Sequence, residues 1–212
     1  MRATELQPSP IRVLRLADCP AQPWRNGGGT TRELLAWPSA DDWALRVSVA
    51  EIARDGPFSA YPGVHRLFAV LSGGSVRLVW PDGRQLVLTS ASAPLAFDGA
   101  DPPDAQLLDG GPTHDLNLML RHGRLTGCLL RALPGVDWTS AAPLRGVLSL
   151  GAGRLHRQGS MPLDLPPGSL AFETLDLADR AALQARSWQL DGPADLAAFW
   201  IAAVPWSPGT PP

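Results

Sequence analysis

Short apolar stretches separated by glycine and proline run along almost the whole chain. Most alternate between apolar and polar residues, as in "ALRVSVAEI" (44–52) and "DLNLMLR" (115–121). A period of two is typical of β-strands with one buried face, and the 21 glycines and 22 prolines mark the turns between them. Because helical periodicity is nearly absent, the pattern predicts an all-β sandwich or barrel rather than a parallel α/β sheet.

Three segments depart from the pattern of strands. The stretch "LADRAALQAR" (177–186) favours about two turns of helix. The stretch "PLAFDGADPP" (94–103) is predicted to be a loop, and the tail at 207–212 is predicted to be disordered.

The chain also resembles itself across a division near residues 121–124. A strand enters a glycine turn and leaves on an alternating strand at 70–80 ("VLSGGSVRLVW") and again at 147–157 ("VLSLGAGRLHR"). Each hairpin is followed by a proline-led stretch that ends in Leu-Ala-Phe, at 95–97 and at 170–172. The two copies indicate an internal duplication of one β-rich unit.

This duplication predicts two β-barrels formed from one chain. Residues 1–122 are expected to form a first barrel that carries the ligand pocket, and residues 123–206 a second barrel. Because strands with polar faces concentrate in the first half, the second barrel is expected to be structural. Its predicted filling consists of Leu148, Leu150, Leu165, Leu170 and Phe172.

Three strands of the first half combine an apolar face with a face that mixes charged and small polar residues. In an antiparallel sheet such a face is often simply solvated. In a barrel, one face of every strand points inward, and buried charges persist only when a partner or a ligand pairs them. The predicted polar faces hold Thr31, Glu33 and Leu35 on one strand, Arg46 and Ser48 on the next, and Asp115, Asn117, Met119 and Arg121 on the third.

The stretch "WRNGGGTTRE" (24–33) contains three consecutive glycines. A phosphate-binding loop of the P-loop type requires a following lysine and a helix, and the dinucleotide-binding pattern requires a different glycine spacing. Neither is present, because the next residues alternate as a strand. Two interpretations remain: a plain hairpin turn, or a turn that brings polar groups such as Asn26 to a pocket.

Composition narrows the possible partners. The formal net charge of −2 offers no field for nucleic acid or an anionic membrane. The chain has no lysine, which excludes Schiff-base chemistry, and its two cysteines form no metal-binding spacing. We therefore expect a cytoplasmic protein with no nucleic-acid or membrane partner.

Three tryptophans near the end of the chain could support a homodimer face or equally a β core: Trp188, Trp200 and Trp206.

Four segments together resemble the HutD/Ves family: "WRNGGGTTRE", "WALRVSVAEIARDGPFSAYPGVHRLFAVLSGG", "FDG" and "DGGPTHDLNLMLR". They cover residues 24–121 in order, and the triple glycine favours the HutD branch. The resemblance implies a cupin-like bicupin, which agrees with the duplication. It also implies binding of a small metabolite of histidine utilisation, with N-formylglutamate proposed, and a governing role on that pathway. The Ves branch is linked to stress or cold responses.

The candidate ligand site unites the polar strand faces with the glycine turn. Arg46 and Arg66 are expected to clamp carboxylates, because guanidinium is a planar, two-pronged donor. The full candidate set is Asn26, Thr31, Glu33, Arg46, Ser48, Arg66, Asp115 and Asn117.

One alternative function is that of a cofactor-free isomerase or hydrolase that uses Glu33 and Asp115 as acid and base. Another is a protein-interaction scaffold.

The four histidines predict that the protein needs no metal cofactor. His65, His114, His122 and His156 form no His-x-His pair, which is the usual start of a cupin metal site. Purified protein is therefore expected to carry no stoichiometric Zn, Fe, Mn or Ni. Elemental analysis checks this, and one tightly held metal ion per chain would overturn it.

Overall fold

The computed structural model describes residues 11–175 and 187–208, so the predicted helix at 177–186 and the end of the predicted tail lie outside the described residues. A single short 3-10 turn, Leu16–Asp18, accompanies the strands of the described ranges, and none of these residues forms a helix suited to crossing a membrane. The strands are β1 (Arg12–Arg15), β2 (Gln22–Pro23), β3 (Gly29–Trp37), β4 (Leu45–Ile52), β5 (Gly56–Pro57), β6 (Val64–Gly73), β7 (Val76–Val79), β8 (Gln85–Leu88), β9 (Leu95–Asp98), β10 (Asp104–Leu107), β11 (Thr113–Arg121), β12 (Leu125–Arg131), β13 (Asp137–Thr139), β14 (Leu144–Ser149), β15 (Gly153–Arg157), β16 (Leu163–Leu165), β17 (Ser169–Thr174), β18 (Ser187–Asp191) and β19 (Ala198–Pro205).

The strands form four antiparallel sheets, two in each half of the chain. The first half contains a six-stranded sheet, β2-β3-β4-β11-β6-β9, and a four-stranded sheet, β5-β10-β7-β8. The second half contains a five-stranded sheet, β1-β17-β14-β19-β12, and a four-stranded sheet, β13-β18-β15-β16. Each half encloses its own apolar cluster. The all-β architecture of two cupin-like barrels is therefore confirmed.

Strand β1 belongs to the second barrel, although it lies near the beginning of the chain. β1 pairs with β17, so it joins the second barrel although it lies within the predicted first unit, 1–122. Its alternating side chains explain this position. Val13 packs against the interior cluster of the second barrel and Leu14 against the cluster between the barrels, so both faces of β1 are occupied there.

The largest apolar cluster lies between the two barrels. It joins one face of the six-stranded sheet to one face of the five-stranded sheet. The first sheet contributes residues such as Leu45, Val47, Leu116, Leu118 and Leu120, and the second contributes Leu144, Leu148, Leu170, Phe172, Phe199 and Ile201. This cluster holds the halves together through the same kind of burial that forms each barrel.

The predicted filling of the second barrel is therefore wrong for most of its members. Leu148, Leu170 and Phe172 belong to the cluster between the barrels, and Leu150 packs against that cluster. Only Leu165 fills the barrel interior, together with smaller residues from the opposite strand faces such as Val147 and Ala171. Alternation correctly showed which residues of β14 and β17 share a face. Both faces of these strands are buried, however, so the larger side chains did not reveal which face points into the barrel.

The interior of the second barrel holds a buried ionic network that the sequence analysis missed. Arg145 Nε lies 2.7 Å from Glu173 Oε1, and Arg157 Nη1 lies 2.6 Å from Glu173 Oε2. The Arg145 guanidinium also stands over the ring of Trp188, 5.0 Å from its centroid. Trp188 and Trp200 are fully buried there, so these two tryptophans fill the barrel and do not form an exposed dimer face.

The segment predicted as a loop at 94–103 contains a strand. β9 pairs with the edge of β6, with His65 opposite Asp98 and Leu67 opposite Ala96. The run is only four residues long and is followed by turn residues, so its local pattern resembles a loop. Tertiary pairing decides the outcome, because Phe97 enters the interior of the first barrel.

Replacing Leu118 with alanine should lower the free energy of unfolding by about 2–5 kcal/mol, because the fully buried side chain leaves a cavity in the core between the barrels. Urea denaturation measures this loss. Leu130→Ala, at a position that is 46% exposed, is the matched control and should cost less than about 1 kcal/mol. Equal small losses in the two variants would contradict this core.

Candidate functional site

The register of the six-stranded sheet arranges the polar side chains in rows. Because paired residues of neighbouring antiparallel strands point to the same face, each row shares one environment. Three successive rows cross β4, β11 and β6 on the face opposite the leucines. They consist of Arg46, Met119 and Arg66; of Ser48, Asn117 and Phe68; and of Ala50, Asp115 and Val70.

A β-bulge in β3 changes one predicted face. Thr31 and Glu33 pair with Ala50 and Ser48 and so continue the polar rows, but the register shifts before Leu35 pairs with Val47. Leu35 therefore points into the cluster between the barrels, and its predicted position beside Glu33 is wrong. A bulge inserts one extra residue, which reverses the faces that follow it.

A cavity of about 620 Å³ opens on this polar face, inside the first barrel. Its floor includes buried residues of the central strands, and its rim includes exposed residues of two segments, 22–26 and 57–59. The lining residues are Gln22, Pro23, Trp24, Arg25, Asn26, Thr31, Arg46, Ser48, Ala50, Ile52, Pro57, Phe58, Ser59, Tyr61, Arg66, Phe68, Asn117 and Met119.

The triple-glycine turn builds one wall of this cavity. Gly27 adopts φ +67°, and a Cβ on Gly29 would lie 2.0 Å from the Glu51 carbonyl oxygen, so both positions require glycine. The backbone N–H of Gly28 donates to Asn26 Oδ1 at 3.0 Å. The turn therefore holds residues 22–26 against the cavity, as expected of a turn that brings polar groups to a pocket.

Arg66 places a positive charge at the floor of the cavity. Its Nη2 donates to Asn117 Oδ1 at 2.6 Å, and the rings of Phe58, Tyr61 and Phe97 surround its guanidinium with centroids 5.0, 5.8 and 4.9 Å away. Burial lowers the pKa of Arg66 to about 10, and nearby Arg46 acts in the same direction. The group still carries its charge at neutral pH, and its buried Nε has no hydrogen-bond partner among the described residues.

Two further arginines lie along the same cavity at smaller depth. Arg46 Nε is 2.5 Å from Glu33 Oε2, but its N–H makes no hydrogen bond with the carboxylate, so this contact is ionic. Arg25 lies exposed on the rim. Among the described residues that line the cavity there is no aspartate or glutamate. The lining is therefore positively charged and suits an anion.

Six of the eight predicted site residues line this cavity: Asn26, Thr31, Arg46, Ser48, Arg66 and Asn117. The other two do not. Glu33 stands behind Arg46, and Asp115 lies beside Ala50, completely buried, with Oδ2 accepting a 2.9 Å hydrogen bond from Thr113 Oγ1. The alternation correctly predicted that Glu33 and Asp115 lie on the polar face of the sheet. It could not show that the cavity covers only part of that face.

The sequence analysis missed the aromatic part of the site. Trp24, Phe58 and Tyr61 line the cavity beside Arg66, and Trp24 Nε1 donates to Thr31 Oγ1 at 2.7 Å. Phe58 and Tyr61 belong to the segment between β5 and β6, which has no strand periodicity. Their place within the quoted motif "ARDGPFSAYPGVHR" was the signal that could have identified them.

No group of three or more histidine, cysteine, aspartate or glutamate side chains within residues 11–175 and 187–208 is arranged to hold a metal ion. His114 lies 3.4 Å from Glu51 and His156 lies 2.9 Å from Asp191, in different barrels. The metal content of the protein stays a prediction.

Comparison with known proteins identifies the family. The family model HutD matches residues 16–186. The chain belongs to the HutD family. Protein Ves of Cronobacter sakazakii is 38% identical over 105 residues, which cover 50% of this chain and 58% of that protein. The chain therefore spans a little over half the length of the curated relatives that it matches.

Two solved structures share the whole architecture. A conserved protein from Pseudomonas aeruginosa PAO1 is 27% identical, with a TM-score of 0.79, over 92% of this chain and 100% of that chain. HutD from Pseudomonas fluorescens is 23% identical, with a TM-score of 0.75, over 93% of this chain and 100% of that chain. This second similarity supports the fold of the HutD-family protein described here.

Asp115 should make the stability of the fold depend on pH. Burial raises its pKa from 3.8 to about 7, and the Thr113 hydrogen bond opposes this only in part. A carboxyl whose pKa is raised by folding contributes fully below its unfolded pKa, and that stability is lost as pH rises through the folded pKa. Asp115→Asn should therefore gain about 2–3 kcal/mol of unfolding free energy relative to the unmodified protein between pH 5 and pH 8.

Urea denaturation of both proteins at the two pH values measures this difference. Asp41→Asn, at an exposed position, is the control and should show no such gain. A constant difference between Asp115→Asn and the unmodified protein across this range would show that the carboxyl is ionised throughout.

Proposed function

We propose that this HutD-family protein binds a small anionic metabolite in the cavity of its first barrel. Binding needs no metal, and the protein acts as a binding module in the cytoplasm rather than as an enzyme. The observation that carries this proposal is Arg66, a buried cation for which no ion pair is found among the described residues. A buried charge without a counterion is costly, and a bound carboxylate supplies that counterion.

The geometry around Arg66 supports recognition of a carboxylate. Asn117 fixes one end of the guanidinium and the aromatic rings restrict its plane, so the remaining N–H groups are held in place before a ligand arrives. Ser48 lies in the row next to Arg66 and adds a hydroxyl. Charge-assisted bonds to such a preorganised fork are stronger than those between neutral groups.

The remaining lining matches a ligand that is only partly polar. Trp24, Phe58, Tyr61 and Met119 supply apolar surface between the floor and the rim. A small-molecule site commonly joins such surface to a few placed polar groups. The fit favours a short carbon chain that carries an anionic group at one or both ends.

Family membership suggests which metabolite this is. HutD accompanies histidine utilisation, and the resemblance of residues 24–121 implies an N-formylglutamate-like ligand. We therefore propose that the protein responds to such a compound as a governor of that pathway. The compound carries two carboxylates, which agrees with cations at both the floor and the rim, Arg66 and Arg25.

The alternative acid–base mechanism has less support. Glu33 and Asp115 lie two strands and two residues apart, about 12 Å between their Cα atoms from ordinary sheet spacings. Neither lines the cavity, and Glu33 is paired with Arg46. A catalytic acid or base must come within hydrogen-bond reach of the proton that it transfers.

Isothermal titration calorimetry with N-formylglutamate tests the proposal. The unmodified protein should bind it saturably and leave it chemically unchanged. Arg66→Met keeps the side-chain volume but removes the charge, so it should weaken binding by about tenfold or more, the equivalent of one charge-assisted hydrogen bond. Arg46→Ala should weaken binding by about tenfold as well.

Arg84→Met is the matched control, because Arg84 is exposed and pairs with Asp82 and Asp101 outside the cavity. It should bind like the unmodified protein. Equal affinity in Arg66→Met and the unmodified protein would contradict the proposed site. Conversion of the ligand at many turnovers per chain, abolished by Glu33→Gln, would support the enzyme instead.

A further inference from the structure

Three arginines and no carboxylate line the cavity, and three of its polar side chains already accept a hydrogen bond within the protein. We propose that the site selects acceptor-rich anions that lack an ammonium group, and so discriminates a dicarboxylate from the amino acid with the same carbon skeleton. This inference rests on the proposed function, because it describes the specificity of the same cavity. Three hydrogen bonds within the protein, two between side chains and one from a backbone N–H, carry it.

Each of these bonds uses one lone pair of a side-chain oxygen, and the hydrogen-bond donor of the same side chain takes no part in it. Asn117 Oδ1 accepts from Arg66 Nη2 at 2.6 Å, which leaves the Asn117 amide N–H groups. Thr31 Oγ1 accepts from Trp24 Nε1 at 2.7 Å, which leaves the Thr31 O–H. Asn26 Oδ1 accepts from the backbone N–H of Gly28 at 3.0 Å, which leaves the Asn26 amide N–H groups.

The charged side chains of the cavity also favour hydrogen-bond donation over acceptance. Arg25, Arg46 and Arg66 line the cavity and can only donate. Glu33, the carboxylate that forms an ion pair with Arg46, does not line the cavity. An ammonium group in this cavity would face three arginines and no carboxylate, and its acceptors would be the oxygens of neutral lining side chains such as Ser48 and Tyr61.

A ligand without the ammonium group is not repelled by the arginines. A site built to donate hydrogen bonds rejects a competing donor, because both groups then stay buried and unpaired. The difference should be about tenfold or more in affinity, as like charges are repelled most strongly where water is excluded.

The Trp24–Thr31 bond is the positioning contact that can be tested separately. Without the indole N–H, Thr31 Oγ1 is free to accept a hydrogen bond from the ligand. Trp24→Phe should therefore narrow the discrimination by about threefold or more, the worth of one hydrogen bond. The overall affinity for the dicarboxylate can change as well, but the ratio of affinities isolates the effect.

The experiment compares glutarate with glutamate by isothermal titration calorimetry. These probes share five carbons and two carboxylates and differ in the ammonium group. The unmodified protein should bind glutarate at least tenfold more tightly than glutamate. Trp80→Phe is the matched control: Trp80 also donates its indole N–H, to the Asp101 carbonyl oxygen at 3.1 Å, but lies outside the cavity lining. It should keep the full ratio.

Each outcome bears on a separate claim. Comparable binding of both probes, or tighter binding of glutamate, would overturn the selectivity while the proposed anion site stood. An unchanged ratio in Trp24→Phe would overturn the role of its bond to Thr31. Binding of neither probe, nor of N-formylglutamate, by folded protein would overturn the proposed function and the selectivity together.

Discussion

The alternation of side chains along the central strands of the six-stranded sheet, β4, β11 and β6, is the constraint on which the rest of the molecule depends. One face supplies Leu116, Leu118 and Leu120 to the core between the barrels, and the other supplies Asn117 and Met119 to the cavity. A register slip of one residue would place the leucines in the cavity and the polar groups in the core. The same burial that joins the barrels therefore fixes the alignment of the binding groups.

The two barrels stabilise buried arginine in different ways. In the second barrel, Arg145 and Arg157 share the carboxylate of Glu173, so the protein itself supplies a countercharge. In the first barrel, Arg66 is surrounded by aromatic rings and bonded to the neutral amide of Asn117. Burying a charge without a countercharge lowers stability. Such a cost is typical of functional sites, where the ligand completes the pairing.

Much of the fold followed from the sequence, because alternation and turn residues report strands directly. Six of the eight predicted residues line the cavity, because the period of two indicates the face of strand residues such as Ser48 and Asn117, whereas Asn26 lies on the glycine turn. The predictions that failed concerned features set by tertiary structure, which no local sequence pattern reports. The bulge before Leu35 reversed a face, tertiary pairing made a strand of Leu95–Asp98, and burial on both sides hid whether Val147 or Leu148 pointed inward. The buried Glu173 network was missed because its partners lie far apart in sequence.

Under the proposed function, charge alone accounts for the sign of the ligand but not for its identity. Three arginines attract any anion, whereas the bonds that orient Asn26, Thr31 and Asn117 determine which further groups an anion may carry. These orienting bonds are made before the ligand binds, so the donors need no rearrangement and little entropy is lost on binding. The proposed selectivity therefore depends on the glycines of the turn at residues 26–29 as well, because they hold in place the amide and the indole that set the polarity of the cavity wall.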